Sequence, residues 1–326
     1  MIESALSFAK KLIPAPMFLA AQPFYHWIMA WLAAVVYRFP SRKLKVIGVT
    51  GTNGKSTVVH MITSILEEAQ EKTASVSSLR FRVNGEEWQN TLKMTMPGRL
   101  KLQKFLRHAV NAGCKYAALE VTSEGIKQFR HIGIDFCVAV LTNVTPEHIE
   151  SHGGFEAYRA AKAEFFKKAK IHILNGEDPS VEYFLKIPAN KRVVYSKKDF
   201  PSNIKLKLIG DFNLENAVAA YHTGKILGID SDIIKQALEK IESVPGRLEF
   251  VQREPFSVVV DYAHTPDALR KVYQTLRLPA GKKSDFFGDL KSDFKEAGGR
   301  LICVLGAAGG GRDKWKRPEM GKIAAN

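Results

Sequence analysis

Along the chain, short apolar runs alternate with longer stretches in which apolar side chains return every three or four positions. "LKVIGV" reads as a buried strand and Ser56 to Ala69 as the helix after it, with Val58, Val59, Ile62, Ile65 and Leu66 at helical spacing. "RFRVNGEEWQN" sets Asn84-Gly85 between alternating residues, the signal of a β-hairpin. A helix from about Arg99, strands in "KYAALEV" and "DFCVAVLTN", a helix around Tyr158 to Lys168 and a strand in "KIHILN" follow. Strands alternating with helices predict an α/β fold, a mostly parallel sheet covered by helices on both faces. At "VPGRLEFVQREPFSVVVDYAHTPDAL" the pattern restarts: a strand at Ser257 to Val260, a helix from Pro266, a strand "RLICVLG" and a glycine-rich loop. That predicts the start of a second, Rossmann-like α/β domain, so the chain divides into 1–44, 45–245 and 246–326. The last part ends at Asn326, short of the roughly 100 residues such a domain needs. "KKSDFFGDLKSDFKEAGG", which repeats KSDF, reads as a polar surface insertion.

The first 44 residues have another character. No charged residue occurs between Leu12 and Tyr37, and Pro14, Pro16 and Pro23 cut the span. About 14 residues of helix from Phe24 are expected, short of the roughly 20 needed to cross a bilayer, and no small-residue cleavage site marks a secretory signal. The segment is expected to pack on the next domain; the alternative is a peripheral membrane contact across residues 17–38, through Trp27, Trp31 and the basic flanks.

Charge refines the picture. The net charge of +15 is concentrated at the two ends, and residues 46–269 keep only +3 of it. This argues for loose attraction to anions and against nucleic-acid binding. The three cysteines, Cys114, Cys137 and Cys303, form no CxxC pair and suit a reducing cytoplasm better than disulfides or zinc.

The chemistry begins at "VIGVTGTNGKST", Val46 to Thr57. Val49 stands where GxxxxGK[ST] has its first glycine; the glycines are spaced by three instead, at Gly48, Gly51 and Gly54, before Lys55 and Ser56. A strand running through a glycine-rich turn into a helix presents backbone N–H groups to a phosphate, so the sheet is P-loop-type. Lys55 adds charge and Ser56 offers a hydroxyl to Mg²⁺. Glu120, closing "YAALE", is either a metal ligand or an ordinary strand-end charge. No NKxD guanine signature and no kinase HRD or DFG set is present.

At "LTNVTPEHIESHGGFEAYRAAKAEFF", Asn143, Glu147, His148 and His152, then Tyr158, Ala161, Lys162 and Phe166, resemble the central-domain motif of the Mur ligases. These are the ATP-dependent amide-forming enzymes of peptidoglycan precursor synthesis. "GVTGTNGKST", "LEVTSEG", "GDFNLENA", "VPGRLE", "VDYAHTPDAL" and "GGGRDKWKRPEMG" agree with the family in order. The last three most resemble the branch that adds the third residue to UDP-N-acetylmuramoyl-L-alanyl-D-glutamate.

The resemblance implies that ATP phosphorylates a substrate carboxylate and that the amine of diaminopimelate or lysine attacks the acyl phosphate. Gly51, Thr52, Asn53, Gly54, Lys55, Ser56 and Thr57 would hold the phosphates, with Lys55 catalytic. Ser56 and Glu120 would bind one Mg²⁺ and His148 a second, helped by Lys162 as a carbamate, since an ammonium repels a cation. Asn213 and Asn216 would lie near the adenine, although Asn213 could equally cap its helix. Asp261 and His264 would meet the nucleotide as hinge residues, and Arg312 and Lys314 would bring cationic charge from the last domain. Thr95, Thr122, Ser123 and Arg130 would contact the UDP-muramoyl peptide. The implied enzyme is a cytoplasmic monomer. A related ligase with another acceptor, such as one extending a folate, and a nucleotide-binding module without complete catalysis are the alternatives. The chain departs from the family pattern at Glu124, commonly histidine in this branch, at Met96, commonly threonine, and in lacking the usual uridine-gripping first domain.

Overall fold

The computed structural model describes residues 15–92, 94–277, 301–306 and 313–325. The strands β1 (Lys45–Thr50), β2 (Thr73–Val76), β3 (Arg80–Val83), β4 (Glu86–Gln89), β5 (Tyr116–Glu120), β6 (Phe136–Leu141), β7 (Ala169–Asn175) and β8 (Lys191–Tyr195) form one sheet in the order β4-β3-β2-β5-β1-β6-β7-β8. All neighbours are parallel except at the β4-β3-β2 edge, where the hairpin turns at Asn84-Gly85. β1 lies between β5 and β6, which places the loop after it in the crevice at the carboxyl ends of the strands, where open α/β sheets bind ligands.

Alternation along β1 divides the core. Ile47 and Val49 face the helices α2 (Lys55–Glu68), α8 (Asp211–Leu227) and α9 (Ser231–Lys240), meeting Ile62, Ala217 and Leu238. Val46 points to the opposite face, toward Leu106 of α3 (Arg99–Asn111), Phe165 of α6 (Phe155–Phe166) and Phe184 of α7 (Val181–Leu185). The short helices α4 (Ser123–Lys127) and α5 (Ile149–His152) follow the ends of β5 and β6. A smaller third core joins Leu248, Leu269, Val272, Tyr273 and Met320. It is built from the antiparallel pair β9 (Glu249–Gln252) and β10 (Val258–Val260) and the helices α10 (Pro266–Leu276) and α11 (Lys316–Ala325).

Several expectations are corrected. The first helix, α1, runs from Ala15 to Val36 with Pro23 inside it; a proline removes one backbone donor and bends a helix without having to end it. Gly48 is a strand residue outside the phosphate turn. A Cβ there would lie 2.3 Å from Phe165 Cζ, so the glycine makes room for an aromatic ring. Residues 301–306 form no strand: Ile302 and Val304 are exposed, and no strand among the described residues pairs with them. β10 pairs antiparallel with β9, so no second parallel sheet exists among the described residues. The KSDF repeat lies outside the described residues.

Phe165 is held by Phe136 at 4.8 Å and Phe166 at 5.5 Å between ring centroids, so it has little room to yield. Gly48→Ala is therefore expected to lose about 1–3 kcal/mol of stability, measured by urea unfolding; an unchanged midpoint would show that the ring moves freely.

Candidate active site

The turn after β1 is pinned from below. Thr52 N–H donates to the Asn143 carbonyl at 2.8 Å, Asn53 N–H to Asn143 Oδ1 at 2.9 Å, and Thr142 Oγ1 to the Asn53 carbonyl at 2.6 Å. Two glycines allow this closeness: a Cβ on Gly51 would lie 1.9 Å from Thr142 Oγ1, and Gly54, at φ +84°, would bring one within 2.3 Å of Asn216 Oδ1. α2 begins immediately afterwards, so its first N–H groups, which have no acceptor within the helix, open toward the crevice.

Around this turn, cations outnumber anions. Lys55 Nζ donates to the Thr52 carbonyl at 2.7 Å and lies 3.8 Å from Glu120 Oε1. Glu120, buried at the end of β5, accepts from Ser56 Oγ at 2.8 Å and from Ser78 N–H at 2.9 Å, while Ser78 Oγ also contacts Thr95 Oγ1 at 2.8 Å. Arg247 reaches in from beyond α9, donates to Ser56 Oγ at 3.3 Å and stacks 4.8 Å from the centre of the Tyr262 ring. Burial pulls the Lys55 amine below its usual range, Glu120 opposes this, and Arg247 adds to it. Two cations about one carboxylate suit a polyanion with a divalent ion at the Ser56–Glu120 pair.

Lys162 approaches the same turn from α6. Its side chain is 1% exposed, its Nζ donates to the Gly51 carbonyl at 2.9 Å, and the amine lies 4.5 Å from the centre of the Tyr158 ring. Tyr158 OH in turn lies 3.0 Å from Thr52 Oγ1. Burial, with Lys55 second, holds the Lys162 amine well below its usual range against the opposing charges of Glu120 and Asp178.

The C-terminal segment closes over this floor. Lys316 Nζ meets Glu147 Oε1 at 2.7 Å with both side chains buried, and Asp313 and Lys314 N–H groups donate to Glu150 at 2.7 and 3.0 Å. Asp313 Oδ2 accepts from His148 N–H at 3.2 Å and lies 3.5 Å from His148 Nδ1. Glu147, His148 and Asp313 bring ligand-type atoms within 4.8 Å of one another, and Glu147 Oε2 and Asp313 Oδ1 are buried with no hydrogen-bond partner among the described residues. A hard divalent cation would satisfy both orphaned oxygens. Burial pushes the Glu147 carboxyl up in spite of Lys316, and lowers the His148 imidazole to about 4 in spite of Asp313.

Beside the turn is an open cleft lined by Asn53, Gly54, Thr57, Asn216, Arg247 and His264 among others. Asn53 Nδ2 also reaches Thr265 Oγ1 at 3.3 Å and Asp267 Oδ2 at 3.2 Å, docking the start of α10 on the turn. Asp261 accepts from Leu248 and Ala263 N–H groups at 2.7 and 2.6 Å, and His264 Nδ1 lies 3.0 Å from the Tyr262 carbonyl. Asn213 lies one step back inside α8: its Oδ1 accepts from Asn216 Nδ2 at 3.4 Å, it donates to the Ile209 carbonyl at 2.8 Å, and it lines another, smaller cavity. It does not cap that helix, because Gly210 holds the cap position.

On the other side of Glu120, Thr122 caps α4 by accepting from Gly125 N–H at 3.1 Å, and Ser123 Oγ lies 3.1 Å from His152 Nε2. Arg130 bonds the Met96 carbonyl and donates to Gln128 Oε1 at 2.7 Å. Thr95 stands between this side and Glu120 through Ser78. Arg312 lies outside the described residues. Lys314 is exposed, and the buried cation of its segment is Lys316. Glu147 and Asp313 were not singled out as site residues from sequence, nor were Arg247, Lys316 and Ser78; a charged residue beside a glycine-rich or His-containing motif was the available signal for the first four.

Residues 49–203 match the Mur ligase middle domain, and residues 246–293 match the Mur ligase glutamate ligase domain. A UDP-N-acetylmuramoyl-L-alanyl-D-glutamate–2,6-diaminopimelate ligase of Trichormus variabilis is 36% identical over 330 residues, covering 91% of this chain. This chain spans 62% of the length of that relative. A solved structure of a ligase of the same name is 29% identical, with a TM-score of 0.63 over 86% of this chain and 60% of the other. A folylpolyglutamate synthase/dihydrofolate synthase of Yersinia pestis, solved with AMPPNP and a manganese ion, shares the fold at 21% identity and a TM-score of 0.62, over 77% of this chain and 70% of the other.

Replacing one member of a buried ion pair strands the other charge, at a cost of about 3–5 kcal/mol. Lys316→Met should therefore undock the C-terminal segment, read as faster hydrogen exchange at residues 313–325. Retained protection would mean that the apolar contact of Met320 suffices.

Proposed function

The chain belongs to the Mur ligase family, and from that premise we propose that it is an ATP-dependent ligase that joins diaminopimelate to UDP-N-acetylmuramoyl-L-alanyl-D-glutamate. The names of its relatives favour diaminopimelate over lysine. The observation that carries the reading is the convergence of Lys55, Lys162 and the Ser56–Glu120 pair on one turn, from two helices and a strand end. On this reading residues 45–245 bind ATP, residues 246–326 close over it, and residues 1–44 form a separate helical segment.

The reaction then proceeds in two transfers. The substrate carboxylate takes the γ-phosphoryl group of ATP, releasing ADP; the incoming amine attacks the acyl carbon, and phosphate leaves with the electron pair of the C–O bond. Lys55 and the first N–H groups of α2 hold the transferring phosphoryl group, and Arg247 adds charge from the closing segment. Asn216 and His264 line the cleft for the rest of the nucleotide. Thr122, Ser123 and Arg130 serve the acceptor peptide. Bound Mg²⁺ would neutralise the phosphate oxygens and so ease the approach of an anionic carboxylate. Ser56 and Glu120 would hold one such ion, and His148, with Lys162, the second, to which the orphaned oxygens of Glu147 and Asp313 beside His148 would also be available.

Lys162 fits that role only as an anion. Burial lowers its basicity and so favours the neutral amine, which can add to carbon dioxide, forming an N–C bond and releasing a proton to give a carbamate. The Gly51 carbonyl would still accept the remaining N–H.

Phosphate release from ATP should require both the muramoyl dipeptide and diaminopimelate, with the amide product seen by mass spectrometry. ATP binding without such release would favour a non-catalytic nucleotide-binding module. Lys162→Ala should lower turnover by roughly 10²-fold or more, and added formate should restore part of it; undiminished turnover would remove the carbamate.

A further inference from the structure

α1 turns an apolar surface to both sides. Toward the domain it presents small residues: Ala30, Ala33 and Ala34 are buried, and a Cβ on Gly133 would fall 2.5 Å from that of Ala34. Arg107 of α3 grips the end of the helix, donating to the Tyr37 and Arg38 carbonyls at 2.7 and 3.1 Å. Ser41 Oγ, just beyond, accepts from Asp135 N–H at 3.1 Å. The helix is thus a fixed part of the surface. Its outer side carries Phe24, Trp27, Ile28, Trp31, Leu32 and Val35, each at least 40% exposed. Their spacing of three and four residues makes one continuous stripe, where a surface helix ordinarily shows polar residues.

Cations lie beyond the end of the stripe and on the helix packed against α1. Arg38, Arg42 and Lys43 are exposed past its carboxyl end, and Lys101 and Lys104 stand exposed on α3. Arg99 and Arg130 lie near enough to His26 that their charges help to lower its imidazole. No Asp or Glu occurs between Glu3 and Glu67; Asp135 lies 3.7 Å from Arg42. No helix among the described residues is long and apolar enough to cross a membrane, and the inner side of α1 is already docked on protein. A helix in this position can lie in a membrane surface without spanning it.

We infer that α1, with the adjoining cationic surface of α3, is a docking face for a bilayer carrying anionic lipid. The apolar stripe enters the interface, the indole rings of Trp27 and Trp31 sit at headgroup depth, and the cations meet lipid phosphates. A second copy of the chain fits less well, because it would bring two cationic surfaces together. This inference does not depend on which reaction the chain performs.

Flotation of the whole chain with vesicles tests it. The chain should rise with vesicles of equal parts phosphatidylcholine and phosphatidylglycerol, and less with phosphatidylcholine alone or at high salt. Trp27→Ser/Trp31→Ser and Arg42→Glu/Lys43→Glu should each lose flotation while keeping ATP binding, which shows that the domain remains folded. The inference fails if the unaltered chain stays at the bottom, or if the tryptophan variant floats equally well. It also fails if the chain sediments as a dimer that this variant converts to monomer, since the stripe would then be a self-association surface.

Discussion

Two amines, Lys162 buried and Lys55 partly buried, donate to neighbouring carbonyls of one turn: Lys55 to Thr52 and Lys162 to Gly51. Taking an ammonium out of water is costly unless an opposite charge lies close. Glu120, the carboxylate beside Lys55, is also engaged by Ser56 and Ser78. The arrangement therefore favours either a neutral amine or an added anion at the turn. On the proposed function, a phosphate would answer this demand on the Lys55 side and a carbamate on the Lys162 side. The glycines at 51 and 54, the Asn143 clamp beneath the turn and the Tyr158–Thr52 contact all hold the two amines in that position.

The second constraint is closure. The charges of the floor become a site only when Arg247, Asp313 and Lys316 arrive from later in the chain. Lys316 neutralises Glu147, Asp313 approaches His148, and Asn53 holds the start of α10. Each contact joins a residue of the sheet's carboxyl edge to one far along the chain. The position of the closing segment is thus coupled to the electrostatics of the turn, and an added polyanion between them would strengthen closure by meeting cations from both sides.

The parallel core was legible because its strands are buried on both faces and its helices repeat regularly: "KYAALEV" and Ser56 to Ala69 permit few other readings. The strand, glycine-rich turn and following helix were legible, but Gly48 was not legible as a packing glycine, because its partner Phe165 is distant in sequence. Pro23 suggested an interruption that the backbone of α1 accommodates. The roles of Asp313 and of Glu147, the latter named only as part of the motif around His148, were not legible for a different reason. Their importance lies in two orphaned oxygens across a contact that no spacing encodes. "RLICVLG" has the composition of a strand, but among the described residues no neighbouring edge offers it hydrogen bonds. Composition sets a preference, and pairing decides whether it is realised.

Glu120 shows how one residue can serve both fold and chemistry. As the last residue of β5 it is carried to the sheet edge by a strand whose five residues are all buried. An unpartnered carboxylate at that depth would be expensive, so the Ser78 amide and the Ser56 and Ser78 hydroxyls hold it. Two of these partners, Ser56 Oγ and Ser78 Oγ, are hydroxyls whose protons can turn away, leaving oxygen lone pairs beside the carboxylate. Such a site can exchange a hydrogen-bonded resting state for cation binding without moving its backbone. Arg247 donates to Ser56 Oγ. Ser56 and Glu120 would hold a divalent ion, and Arg247 would supply a second positive charge beside them.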